Sequence, residues 1–293
     1  MSKTMRRNAY ELMSDEELER AIATLERQVD DIRAERLSLD MARGKPSPAQ
    51  TALSRPMLDL VNSTASLSDG DAIVDNYGTP EGLPSARALA AEILGVKAEN
   101  VVVSGSSSLN LMHDLVAHAF TNGVAGAEPF YRQGDVIWLC PSPGYDRHFK
   151  ITEDLGIKNV VVPMREDGPD MDLVQRLVED DPKVKGIWCV PKYANPTGVT
   201  FSDEVVRRFA ALRPAACDFR IYWDNAYAVH CFGEKDDVLL NVFDALAEAD
   251  ADNLVYEFGS TAKMTFPSSG IAFVAAGDED IKRVRAAFAV ERV

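Results

Sequence analysis

No stretch of this sequence approaches the roughly 18 unbroken apolar residues of a membrane-spanning helix, so a helical membrane protein is not expected. Basic residues occur near the N-terminus, but no apolar run follows them. A secretory leader is therefore not read there, and the cytoplasm is the expected compartment. Cysteine is scarce. Cys140, Cys189, Cys217 and Cys231 show no C-x-x-C spacing and no histidine at ligand spacing beside them, which argues against a disulfide framework or a zinc site. Cys140 and Cys189 sit inside the apolar runs VIWLC and GIWCV, as small core residues do. Positive charge is also short: 31 Lys and Arg stand against 46 Asp and Glu, a net charge of −15. Nucleic acid is not an expected partner of such a surface, although a local pocket can oppose the global sign. The four histidines, His113, His118, His148 and His230, are scattered and suggest no catalytic role. Neither G-x-x-x-x-G-K-[ST] nor G-x-G-x-x-G occurs, and there is no internal repeat.

What the sequence does contain is ordinary globular material, 46% hydrophobic and 26% charged. Its 293 residues suffice for about two domains of roughly 150 residues. Ser14 and Glu17 form a capping-box pattern. Leu18, Ile22, Leu25, Val29 and Ile32 follow at spacings of four and three, which predicts an amphipathic helix over about 14–37. Residues 41–56 are rich in Pro, Gly and Ser and read as an extended linker, with a further loop over 68–84. A helix over about 81–94 is expected to stop at Gly95. Seven apolar, often β-branched runs then appear at 101–103, 136–140, 159–162, 186–190, 220–223, 254–258 and 271–275. Helical patterns lie between most of them. Runs that are apolar on both faces and separated by helices predict an α/β fold of three αβα layers, with a mainly parallel sheet covered on both sides.

Ligands of such sheets gather where the strands end. Five runs are followed by small, polar or ionisable residues: SGSSS (104–108), PSPGY (141–145), PKYANPTG (191–198), DNAY (224–227) and GSTAK (259–263). Taken singly, each has an ordinary explanation. The serines could simply cap a helix or, with its free N–H groups, bind an anion. Asp224 could be a helix cap or a buried carboxylate seeking a cationic partner. Asn195 could start a turn before Pro196 or offer a rigid amide. Tyr145 could be a loop aromatic or stack on a flat ligand. Lys263 could be a surface charge or, between small residues at a strand end, a partly desolvated amine nucleophile. Ser260 to Lys263 matches S-x-x-K, but the S-D-N and K-T-G companions of penicillin-binding enzymes are absent.

In combination, SGSSSLN, PSPGY, YANPTG, YWDNAY and GSTAKMTF resemble the fold-type I pyridoxal-phosphate aminotransferases of class I, and within them a bacterial aspartate-aminotransferase-like group. The likeness covers about residues 38–275. It implies the seven-stranded large domain of that fold and pyridoxal 5′-phosphate as cofactor. Lys263 would hold the cofactor covalently and act as the base. Asp224 would pair with the ring nitrogen, Asn195 and Tyr227 would bond the ring 3-oxygen, and Tyr145 would stack on the ring. Ser106, Ser107, Ser108 and Ser260 would hold the phosphate. Tyr77, in DNYGTPEG, would reach the phosphate of a neighbouring subunit, which makes the expected assembly a homodimer. Gly44 and Asn195 would lie near the substrate. The implied reaction moves the amino group of aspartate or a related acidic amino acid to a 2-oxo acid such as 2-oxoglutarate. A cofactor-binding protein without turnover, or a lyase on the same fold, stays open.

Two departures from that pattern stand out. Ser268 and Ser269 occupy the stretch where many members have a phosphate-binding arginine. The family also has a C-terminal small domain that packs with the N-terminal helix and supplies an arginine for the substrate carboxylate. Here the sequence ends inside the helical pattern DEDIKRVRAAFAVERV. Arg283, Arg285 and Arg292 read as surface charges of that helix. The expected organisation is an N-terminal helical segment over 1–45, a cofactor-binding large domain over 46–293 and no C-terminal small domain, with impaired turnover in the isolated chain.

Overall fold

A computed structural model describes residues 10–38, 46–234 and 237–290. The chain divides into two compact units, Met1–Lys45 and Pro46–Val293. In the first, helix α1 (Asp15–Ala34) starts at the expected capping box. Glu17 N–H donates to Ser14 Oγ, and Ser14 N–H donates to Glu17 Oε2 at 2.8 Å. None of its residues is buried, so its apolar stripe of Ile22, Leu25, Val29 and Ile32 stays open.

The second unit opens differently from the sequence expectation. The supposed linker contains a short helix α2 (Pro48–Ala52), and a 3₁₀ turn over Arg55–Asp59 follows. Ser47 and Gln50 make a second capping box that the Pro and Ser content had masked. A two-residue ladder, β1 (Ser68–Asp69) with β2 (Ala72–Ile73), interrupts the next loop. Helix α3 (Pro84–Leu94) begins with proline in its first turn and ends as expected at Gly95, whose left-handed φ of 68° suits a residue without Cβ.

The remaining elements alternate: β3 (Val101–Val103), α4 (Ser108–Asn122), β4 (Ile137–Ser142), α5 (Asp146–Asp154), β5 (Lys158–Pro163), α6 (Met171–Asp180), β6 (Val184–Cys189), α7 (Asp203–Ala210), β7 (Arg220–Asp224), α8 (Val242–Glu248), β8 (Val255–Ser260), β9 (Ala272–Ala276) and α9 (Asp278–Phe288). All seven expected strands join one sheet in the order β3-β9-β8-β7-β6-β4-β5. Strands β8, β7, β6, β4 and β5 are mutually parallel, while β9 runs antiparallel to both β3 and β8. Six strands therefore share one direction.

The period-two alternation of a strand divides the core into two layers. Trp138, Trp188, Tyr222, Tyr256 and Phe258 turn to one face with α4 and α9. Leu139, Ile187, Ile221, Trp223 and Val255 turn to the other, with α6, α7 and α8. Helix α3 covers the β3–β9 edge of this second face. The expected three-layer αβα arrangement is thus the observed one. On the first face an aromatic file crosses the strands, with ring centroids 5.0–5.5 Å apart from Trp138 through Trp188 and Tyr222 to Phe258. Such contacts each contribute about 0.5–1.5 kcal/mol beyond area burial. At the start of β7 the buried Arg220 grips Asp280 of α9 through Nε and Nη2. Among the described residues no helix is long and apolar enough to cross a membrane.

Candidate functional site

Because β3 runs with the parallel strands, the segments after β3, β4, β6, β7 and β8 open on one edge of the sheet. These are the five segments singled out in the sequence. Sheet order sets their spacing: Asp224 ends β7, Lys263 follows β8 next to it, and the serines after β3 lie beyond β9.

Asp224 is the last residue of β7 and only 6% exposed. One carboxylate oxygen, Oδ2, lies 3.0 Å from His148 Nε2. A carboxylate only accepts, so the histidine is assigned as the N–H donor. The other oxygen, Oδ1, is buried without a hydrogen-bond partner among the described residues. A buried half-satisfied carboxylate is costly unless a donor meets it. His148 itself is buried, stacked on Trp188 at 4.8 Å and edge-on to Tyr145 at 5.0 Å. This corrects the reading of His148 as one of several scattered histidines. The signal was its place three residues after Tyr145 in a helix, hence on the same face.

Lys263 closes a 3₁₀ turn (Thr261–Lys263) directly after β8. Its Nζ lies 4.6 Å from the centre of the Tyr227 ring, a cation–π arrangement. The side chain is exposed, so the desolvation expected from its small neighbours is not present in this structure. Tyr227 is half-buried and packs edge-on against His230, whose Nε2 lies 3.3 Å from the Lys263 carbonyl.

After β3, Gly105 turns the chain with φ +65° and α4 begins. Ser107 occupies the cap position but makes no side-chain capping bond. The plain capping explanation therefore fails: the Asn110 and Leu111 N–H groups donate to the Ser107 carbonyl and not to its hydroxyl. Ser106 is exposed and Ser108 half-buried beside it. Strand β9 stitches this loop to the lysine loop. Ser104 N–H donates to Ala272 O and Ala272 N–H to Gly105 O, each at 2.9 Å, while Thr261 N–H donates to Ile271 O at 2.9 Å. Ser260, buried at the end of β8, completes this side.

Tyr145, His148, Trp188 and Asn195 line one small cleft of about 20 Å³, which brings the segments after β4 and β6 together. Asn195 itself is exposed in a turn closed by Gly198 N–H to Ala194 O. A larger hollow of about 330 Å³ lies between α4 and α9, lined by Leu115, Tyr256 and Ala287 among others. It is at the opposite end of β8 from Lys263, so its size does not make it the site. Tyr77 stands 84% exposed between β2 and α3. Ser268 and Ser269 are exposed in the turn before β9. Gly44 and Arg292 lie outside the described residues. Arg283 bonds the buried Asp280 within its own helix, and the half-buried Arg285 bonds the Glu99 carbonyl.

The chemistry of this donor set suits a flat, anionic, protonated heteroaromatic ring. It offers an amine, an orphaned buried carboxylate oxygen one strand away and hydroxyls at a helix start on the other side.

Comparison with known proteins gives a consistent result. The family described as Aspartate amino-transferase matches residues 13–292. A protein of Mycolicibacterium smegmatis that carries the name aminotransferase is 45% identical over 259 residues, 87% of this chain and 60% of its own length. An aspartate aminotransferase of Corynebacterium glutamicum is 39% identical over 259 residues, 88% of this chain and 60% of its own. The crystal structure of an aspartate transaminase from Corynebacterium glutamicum superposes with a TM-score of 0.87 at 35% identity, covering 97% of this chain and 67% of that one. The chain thus spans about three fifths of the length of the curated relatives it matches.

Proposed function

The chain belongs to the aspartate amino-transferase family, and from that premise we propose that it carries the pyridoxal-phosphate site of a transaminase. The observation that carries this reading is Asp224 Oδ1, buried and unmet at a strand end beside the one that leads to Lys263. A protonated pyridine nitrogen is the donor that such an oxygen lacks. When bound, the cofactor supplies an electron sink for a bond at the substrate's Cα.

The residues of this chain supply the rest. Lys263 would provide the amine that holds the cofactor and would serve as the base for the proton at the substrate's Cα. Asp224 holds a proton on the ring nitrogen, and His148 fixes the orientation of Asp224. Tyr227 and Asn195 donate to the ring 3-oxygen, and Tyr145 covers a ring face. Ser106, Ser107, Ser108 and Ser260 bind the phosphate, with Ser268 and Ser269 as further donors. A hydroxyl brings no charge, so this phosphate grip is weaker than one built on arginine. Tyr77 is assigned to the phosphate held by a neighbouring subunit, which makes the working unit a cytoplasmic homodimer. Gly44 and Asn195 are assigned to the substrate. The substrates proposed are aspartate or a related acidic amino acid, with a 2-oxo acid such as 2-oxoglutarate as acceptor. The surface charge of −15 opposes such ligands at long range. The serine loop and Lys263 counter it locally.

Adding pyridoxal phosphate to the purified chain is expected to produce a visible absorption band that borohydride bleaches. Lys263→Ala is expected to lose it completely. Equal bands in wild type and variant would sink the assignment of Lys263. With amino donor and oxo acceptor present, a transaminase yields a keto acid, whereas released ammonia would point to a lyase.

A further inference from the structure

Behind the site, one more carboxyl is buried. Glu257 lies in the middle of β8 and is 3% exposed. In register it sits beside Trp223 of β7 and Ala275 of β9. Alternation turns it away from Tyr256 and Phe258, and therefore to the sheet face opposite Asp224, which pairs in register with Phe258. Its Oε1 accepts from Asn225 Nδ2 at 2.9 Å. Asn225 directly follows Asp224, and its backbone N–H donates to Phe258 O at 2.9 Å. Strand β8 thus holds Asn225 by both main chain and side chain.

That leaves one oxygen on each group, Glu257 Oε2 and Asn225 Oδ1. Both are buried without a hydrogen-bond partner among the described residues. Two acceptors cannot satisfy each other, but a proton on the carboxyl makes one of them a donor. We propose that Glu257 and Asn225 form a reciprocal acid–amide pair, the carboxyl donating to Asn225 Oδ1 while accepting from Nδ2. We assign this pair as the positioning device that fixes Asp224 against the strand leading to Lys263.

The surroundings support it. Burial pushes the Glu257 carboxyl up to about 8, with the Asn225 hydrogen bond pulling the other way. The strand neighbours Trp223 and Ala275 carry no charge. On α3, Arg87 has a buried Nε without a partner among the described residues, and it forms no ion pair with Glu257. Glu92 of α3 and Asp244 and Glu248 of α8 are exposed to solvent.

The pair stands on its own geometry, while its consequence for the cofactor rests on the proposed function. Two readouts on the full chain separate them. The first is thermal unfolding of wild type, Glu257→Gln and Glu257→Ala between pH 5 and pH 8.5. A folded-state value near 8, above the ordinary 4.5, gives stability that is complete at low pH and drains away as pH rises to about 8. Glutamine keeps one donor and one acceptor but cannot titrate. Wild type is expected to match Glu257→Gln near pH 5 and to fall behind it toward pH 8, with Glu257→Ala less stable than Glu257→Gln throughout. A wild-type-to-Gln gap that does not change with pH, or a glutamine variant as unstable as alanine, overturns the pair. The second readout is pyridoxal phosphate affinity from tryptophan quenching. Glu257→Ala is expected to bind about tenfold more weakly, roughly the loss of one such bond, and Glu257→Gln to restore binding. Equal affinity in Ala and Gln variants overturns the positioning role. A wild type that does not bind overturns the cofactor reading and the positioning role with it, and the unfolding series still decides the pair.

Discussion

The two ends of β7 meet buried acids in opposite states of satisfaction. At its start, Arg220 meets Asp280 through Nε at 2.5 Å and Nη2 at 3.0 Å, and Arg283 Nη1 adds a third bond at 2.7 Å. Asp280 is 0% exposed. At its finish, Asp224 has His148 on one oxygen and, among the described residues, nothing on the other. A fold that can surround one carboxylate with three donors does not leave another half-met for want of means. The first acid ties a helix to the sheet, whereas the second keeps an acceptor in reserve. Departures from full polar satisfaction of this kind gather at functional sites.

Three substitutions would break or sharpen that contrast. The largest effect is expected for Arg220→Met. It strips two bonds from a fully buried aspartate and should cost about 3 kcal/mol in urea unfolding, with the affinity of the folded protein for pyridoxal phosphate unchanged. Asp224→Asn should do the reverse. Stability should stay within about 1 kcal/mol of wild type, since a half-met buried charge is removed. Cofactor affinity should fall roughly 10- to 100-fold, the equivalent of a charge-assisted bond of about 1.5–3 kcal/mol. If the Asp224→Asn variant instead loses several kcal/mol of stability and its folded fraction binds normally, the contrast is void. The smallest effect is expected for His148→Phe, about 1–2 kcal/mol in unfolding, because Asp224 is then left with no donor. Combining it with Asp224→Asn should recover much of that loss, since the two residues share one interaction.

The strands were legible because they are apolar on both faces and lie between helices. The candidate residues after β3, β4, β6, β7 and β8 were legible because they follow those strands directly. What escaped the sequence depends on packing between distant segments. His148 is 76 residues from Asp224, and only the placement of α5 over the sheet brings them together. Glu257 sits inside the run LVYEF, where one acid in a strand gives no hint of how deeply it is buried. The short helix at 48–52 was hidden because Pro and Ser mark helix starts as well as loops. The exposure of Lys263 was misjudged because small neighbours along the chain say little about what lies across it.

Strand β9 has one further effect. It is the sheet's reversed member, and its first residues lace the serine loop on one side to the lysine loop on the other. Neighbouring strands stand about 4.8 Å apart. The serine loop therefore sits two strand widths, about 10 Å, from the strand before Lys263, and Asp224 sits one width, about 5 Å, on the far side. The sheet acts as a ruler whose graduations are strands. Changing a loop's length slides nothing along that scale, so the span between serine loop and carboxylate is written into strand order.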